Sequence, residues 1–156
     1  METAIDDRVR GRIAGYLREH IPISSALGVT VKLATPDLVC LAAPLAPNLN
    51  HHAAVFGGSA AALATLAAWT LLFLRLERAG FDAELVIQRS SMEYLHPIPG
   101  DFEAVCLFDD DEAWSRFEST LRRRGRARLT LASRLIYQER EMASFVGDFV
   151  ALLSRA

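Results

Sequence analysis

The residues with most chemistry to offer fall in one short stretch: Asn50, His51 and His52, then Phe56, Gly57, Gly58 and Ser59 at the head of a long apolar run. An asparagine amide both donates and accepts, which suits holding a water or a carbonyl. A histidine exchanges a proton near neutral pH, so either imidazole could act as a general base, His51 being preferred. If the apolar run is a helix, Gly57 and Gly58 open it. Its first N–H groups then lack internal partners and sit at the positive end of the helix dipole. Without side chains to block approach, they would stabilise the oxyanion of an acyl-transfer reaction. Each residue also has a plainer reading. Asparagine caps its own loop, paired histidines are often merely solvated, and glycines permit a sharp turn.

The strongest local charge is the run Arg122-Arg123-Arg124-Gly125-Arg126. It could hold phosphate, with Arg123 as the candidate, or simply form a solvated turn between helix and strand. No aromatic platform lies nearby and the net charge is −2, so nucleic acid is not an expected partner. Cys40 and Cys106 stand in separate apolar runs and read as small core residues, not as a disulfide or metal site. No metal is expected. The segment from Met1 to Arg12 mixes acids and bases and lacks the apolar region of a secretory signal, so a cytoplasmic protein is the expectation.

These groups must be positioned by the elements around them. A chain of 156 residues, 51% hydrophobic and 23% charged, fits one globular domain over 1–156. Ile5, Val9, Ile13 and Leu17 mark a one-sided helix over 3–20, ended near Pro22. Strands are expected at 28–34 and 37–43, paired as a hairpin through Thr35-Pro36-Asp37. An irregular loop fills 44–57. The helix of about Gly58 to Arg78 is apolar on nearly every face, with charge confined to its last turn (Arg75, Glu77, Arg78). Its uncharged stretch from Ala53 to Leu74 is long enough to span a bilayer, but its alanines, glycines and threonines argue for a buried core helix. No membrane span is expected. Strands follow at 84–96 and 101–108, then a short helix through about Leu121, then a hairpin of 126–138 and 141–153. The whole is α+β: one mostly antiparallel sheet curled around one apolar helix.

That order of elements is the hotdog fold, and two motifs agree with it. The segment Asn50-His51-His52-Ala53-Ala54-Val55-Phe56-Gly57-Gly58-Ser59 resembles the loop into the central helix of hotdog thioesterases. It is closest to a thioesterase family found as the C-terminal domain of some bacterial acetyltransferases, which reads Asn-His-x-Gly-Thr-x-Phe-Gly-Gly-Ser there. Trp69 also matches, while Ala53 and Ala54 depart from the Gly-Thr of that pattern. Tyr94-Leu95-His96-Pro97-Ile98-Pro99-Gly100-Asp101 resembles a turn found in hotdog proteins generally.

The resemblance, covering roughly residues 20–152, implies an acyl-CoA thioesterase. Asn50 would hold the nucleophilic water or the carbonyl, with Gly57 and Gly58 at the oxyanion. Related thioesterases often carry histidine at the place of Phe56 and a carboxylate nine residues on, where this chain has Thr65. Threonine is no base at neutral pH; it can only assist, or bond back to its own helix. Two alternatives therefore stay open: a non-catalytic acyl-thioester binding module and a hotdog dehydratase acting on hydroxyacyl thioesters. In hotdog dimers the strand at 84–96 pairs with its twin beside the pocket, which makes Ser91 a candidate for substrate contact. The implied partners are an acyl-CoA or acyl carrier protein thioester and a second copy of the chain, as a homodimer or dimer of dimers. Coenzyme A would enter as part of substrate or product, with no resident cofactor.

Overall fold

The computed structural model describes the backbone over residues 2–155 and side chains over residues 6–155, so the side chain of Ile5 lies outside the described residues. Helix α1 (Glu2–His20) buries Ile13 and Leu17, as their spacing predicts. A short helix α2 (Ile23–Leu27) follows, which the sequence reading missed. Five residues are too few for a helical period to show, and Pro22 signalled only the end of α1.

Strands β1 (Thr30–Ala34) and β2 (Leu38–Ala43) form the expected hairpin, closed by the Thr35 hydroxyl, which accepts from Leu38 N at 2.9 Å. Helix α3 (Gly57–Arg78) begins one residue earlier than anticipated. Then come β3 (Ala83–Tyr94), β4 (Phe102–Leu107), α4 (Asp111–Arg124), β5 (Arg126–Tyr137) and β6 (Arg140–Leu153). The Asp110 side chain caps α4 by accepting from Ala113 N at 2.9 Å, and the helix runs one turn past Leu121 to stop at Gly125. Gln138 and Glu139 both take positive φ in the two-residue turn between β5 and β6.

All six strands make one antiparallel sheet in the order β1-β2-β4-β5-β6-β3, which packs around α3. This is the hotdog arrangement. Leu63, Ala64, Ala67, Ala68, Leu71 and Leu72 are fully covered, so α3 is the axis of the core. Among the described residues it is also the helix long and apolar enough to cross a bilayer, and most of that apolar stretch is buried against the sheet.

The charged last turn of α3 departs from the simple reading. Arg75 is 3% exposed. Its guanidinium donates to Pro36 O (2.7 Å), Asp37 Oδ1 (2.7 Å) and Phe108 O (3.1 Å), and lies 4.5 Å from the centre of the Phe108 ring. One side chain thus fastens the β1–β2 turn, the end of β4 and the last turn of α3.

Strand β3 forms one edge of the sheet, with its outer side unpaired among the described residues. Val86, Ile87 and the neighbouring Val146 of β6 are all exposed. A bulge at Gln88 breaks the register with β6 between Ile87 and Arg89. Before it, Ala83, Leu85 and Ile87 share the face that packs on α3; after it, Ser90, Met92 and Tyr94 do.

Candidate active site

The loop before α3 is organised by two asparagines. Asn48, which the sequence reading did not single out, is buried; its amide nitrogen donates to Leu27 O and Pro44 O, both at 2.8 Å. Its backbone carbonyl accepts from Phe56 N at 2.7 Å, so it also fixes the residue that precedes the helix. Within a loop sequence, only its polarity was visible, not its depth.

Asn50 uses its side-chain oxygen locally. Oδ1 accepts from His52 N (2.8 Å) and Ala54 N (3.1 Å), while Asn50 N donates to Ala54 O at 2.8 Å. The loop-stabilising reading of Asn50 is therefore correct for its oxygen. Its amide NH₂ has no hydrogen-bond partner among the described residues, which leaves it a donor for a carbonyl or a developing oxyanion.

The tight turn that Asn50 holds places Ala53 at φ 58°. This is where the family pattern has glycine. Left-handed backbone costs a residue with a Cβ about 1 kcal/mol, so Ala53→Gly is expected to stabilise the protein by that amount. Thermal unfolding checks it: an unchanged or lower Tm would show that the turn carries no strain.

Phe56 is the residue before the first helical turn, and its carbonyl accepts from Ser59 N (2.9 Å) and Ala60 N (3.1 Å). Two of the four open amides are thereby satisfied. The N–H groups of Gly57 and Gly58 have no partner among the described residues and point out from the end of the helix. The Phe56 ring lies across Gly58 so closely that an added Cβ would stand 2.5 Å from it. A side chain at position 58 would therefore require the exposed Phe56 ring to swing aside. Ser59 is buried in the same turn.

Tyr94 was missed as a site residue, although it heads the second motif. Its hydroxyl donates to Gly57 O at 2.9 Å, and its ring lies 3.4 Å from where a Gly57 Cβ would be. The rest of that motif is structural. Val55 N donates to Ile98 O (2.9 Å), the Asp101 carboxylate accepts from Leu45 N (2.8 Å), and Gly100 makes room for the Tyr137 ring. Phe56 and Tyr94 are 58% and 54% exposed, so two aromatic rings flank the open amides in a single chain.

Other candidates fall elsewhere. His51 and His52 lie side by side, 3.8 Å between ring centres with the rings tilted by 44°, exposed and without side-chain hydrogen bonds among the described residues. The Thr65 hydroxyl donates to Ala61 O at 2.8 Å, the plainer of its two readings. It shares a helix face with Gly58 but lies about 10 Å further along. Ser91 lies on the outer face, opposite Val146, so its hydroxyl faces away from α3 of its own chain; the bulge puts Ser90 on the helix side instead. Arg123 lies in the last turn of α4 near Gly125, which meets the Ala83 end of the sheet, far from Tyr94. Neither cysteine is a nucleophile. Burial, with Glu103 nearby, pushes the Cys40 thiol up to about 11, and burial does the same to Cys106, so both stay protonated at neutral pH. No group of His, Cys, Asp and Glu among the described residues could hold a metal.

The geometry is thus a helix start with two unpartnered amides, a free amide donor on the preceding loop and two flanking aromatic rings. The family described as "Putative thioesterase (yiiD_Cterm)" matches residues 11–153. A structure of a protein of unknown function from Chlorobaculum tepidum superposes with a TM-score of 0.88 at 27% identity, covering 96% of this chain and 97% of that one. A protein described in the same words as the family, from Shewanella oneidensis, gives 0.84 at 26% identity, covering 94% and 99%. A probable thioesterase from Pseudomonas aeruginosa, at 22% identity and TM-score 0.77 over 92% and 96%, shares the fold. The chain belongs to this hotdog thioesterase family.

Proposed function

We propose that the chain hydrolyses an acyl thioester of coenzyme A or of an acyl carrier protein, in the cytoplasm, as a homodimer or an assembly of dimers. The observation that carries this reading is the pair of open amides at the start of α3, those of Gly57 and Gly58, with the unpartnered Asn50 NH₂ on the adjoining loop. Open N–H donors at a helix start suit the oxygen of a thioester carbonyl, and suit it better once that oxygen becomes an anion. Water attacks the carbonyl carbon, the C–S bond breaks, and the thiolate leaves as a thiol once protonated. His51 is the proposed base on the same loop. The Thr65 hydroxyl, already donating to Ala61 O, can only accept from a water. Free thiols at Cys40 and Cys106 suit a reducing compartment.

Dimerisation is supported by β3. It is twelve residues long, unpaired on one side and carries exposed Val86 and Ile87, with Phe56, Tyr94 and Leu95 exposed at its far end. A second copy pairing antiparallel along this edge would cover all of them.

Thiol release from short to long acyl-CoA esters tests the reaction. Turnover above the uncatalysed rate is expected, with a preferred chain length. A second reading, an acyl-thioester binding module, is favoured by the absence of any carboxylate on α3 before Glu77. Saturable acyl-CoA binding with no thiol release would select it.

A further inference from the structure

The two open amides at the head of α3 belong to two successive peptide groups, and each group has a carbonyl at its other end. Oxygen and nitrogen of a peptide are conjugated, so a hydrogen bond accepted at the oxygen draws electron density from the nitrogen. The N–H then becomes a stronger donor, by a cooperative gain of about 10–30% per bond. What each carbonyl accepts therefore sets the strength of the amide beside it.

The Gly57 amide shares its peptide with the Phe56 carbonyl, which accepts from Ser59 N (2.9 Å) and Ala60 N (3.1 Å). Both of those donors come from the helix itself. The Gly58 amide shares its peptide with the Gly57 carbonyl. As part of the first helical turn that carbonyl serves the ladder of α3, and it takes a further donor from outside the helix, the Tyr94 hydroxyl at 2.9 Å. Both peptides that carry an open amide are thus loaded at oxygen, the first by α3 alone and the second by β3 as well.

Strand β3 is built to deliver that hydroxyl. The bulge between Ile87 and Arg89 turns Tyr94 to the helix side. Just beyond it, Leu95 N and His96 N both donate to Met142 O, at 2.9 and 3.1 Å, which fixes the end of the strand. Folding has little use for the bond. Tyr94 is 54% exposed, and water at that surface can take the place of the hydroxyl on the carbonyl at small cost.

We propose that Tyr94 is a positioning residue for hydrolysis: by donating to the Gly57 carbonyl, its hydroxyl orients and strengthens the Gly58 amide as an oxyanion donor. The inference rests on the thioesterase reading, and it gives the Tyr94 motif a share in the reaction. Because a stronger donor gains most when the thioester oxygen becomes an anion, the contribution falls on kcat and not on substrate affinity.

The test is Tyr94→Phe, which keeps the ring and removes only the hydroxyl. The kcat for thiol release from acyl-CoA is expected to fall roughly tenfold, the worth of one neutral hydrogen bond. KM should move by less than about twofold, with an unchanged Tm. In protein labelled with ¹⁵N at glycine, the Gly58 nitrogen resonance should move upfield while that of Gly125, at the far end of α4, stays in place. A ketone analogue of acyl-CoA, with CH₂ in place of the sulfur, supplies a readout without turnover. Its binding should shift the Gly58 amide proton downfield, and less so in Tyr94→Phe. The proposal is overturned by an unchanged kcat, or by a loss carried in KM, which would make the hydroxyl a substrate contact. A fall in Tm that parallels the fall in activity overturns it too, since Tyr94 would then only fasten the fold. Thiol release with an unmoved Gly58 resonance would leave hydrolysis standing and remove Tyr94 from it. If the wild type releases no thiol, the hydrolysis reading falls. The difference in Gly58 shift on binding the ketone would then still assign Tyr94 to a carbonyl-binding amide.

Discussion

Asn50→Asp is expected to lower thiol release by about 100-fold or more, while leaving the unfolding temperature close to that of the wild type. Aspartate keeps the oxygen that accepts from His52 N and Ala54 N, so the loop that presents Gly57 and Gly58 is preserved. What it loses is the NH₂ donor, and it brings a negative charge to the place where an oxyanion forms. Removing one preorganised oxyanion donor costs roughly 10²- to 10³-fold in turnover. The fall should appear in kcat with KM little altered, since the contact strengthens as the carbonyl becomes an anion. Asn50→Ala is a weaker experiment because it removes the loop contacts as well. If Asn50→Asp retained activity and Asn50→Ala lost it, the residue would be a loop fastener only. The catalytic donors would then be the helix amides alone.

The largest effect on stability is expected at Arg75. Arg75→Ala leaves Pro36 O and Phe108 O without their donor, removes a cation stacked on Phe108, and opens a void beside Trp114. Leaving two carbonyls without their donor costs about 1–3 kcal/mol each, and with the lost packing this lowers Tm by roughly 10 °C for a domain of this size. Burial, more than any neighbour, weakens the hold of the guanidinium on its proton, and Asp37 only partly offsets this. Asp37 itself is largely in water, so Asp37→Ala should cost about 1 kcal/mol or less. The ratio is the diagnostic. Equal losses from the two variants would mean that the ion pair, not the two carbonyls and the ring, holds these elements together. Urea midpoints with unchanged m-values would give both numbers.

The frame of the molecule was legible because its signals are long. A 22-residue helix with its charges confined to the last turn and the alternating strands 126–138 and 141–153 leave few other ways to build a core, and Gly57-Gly58 marked the start of α3 to within a residue. What was hidden depends on a third dimension. A charge in a last helical turn reads as exposed, yet Arg75 is buried because three acceptors meet above it. Asn48 looks like any loop asparagine until the carbonyls of Leu27, distant in sequence, and Pro44 close on it. The bulge at Gln88 inverts the facing of every later residue of β3, so the fold turns Ser90 and Tyr94 toward α3 and Ser91 away from it.

The placement of β3 also bears on how the chain comes off the ribosome. Its intrachain partner is β6, and Arg140 follows Tyr94 by 46 residues, so β3 is synthesised well before anything in the same chain can pair with it. During that interval both of its edges are open, and Leu85, Val86 and Ile87 form a sticky β-prone segment. Glu84 and Arg89 bracket it as charged gatekeepers. Neutralising them should show first as lost soluble yield during expression, while the protein that does fold melts at nearly its normal temperature.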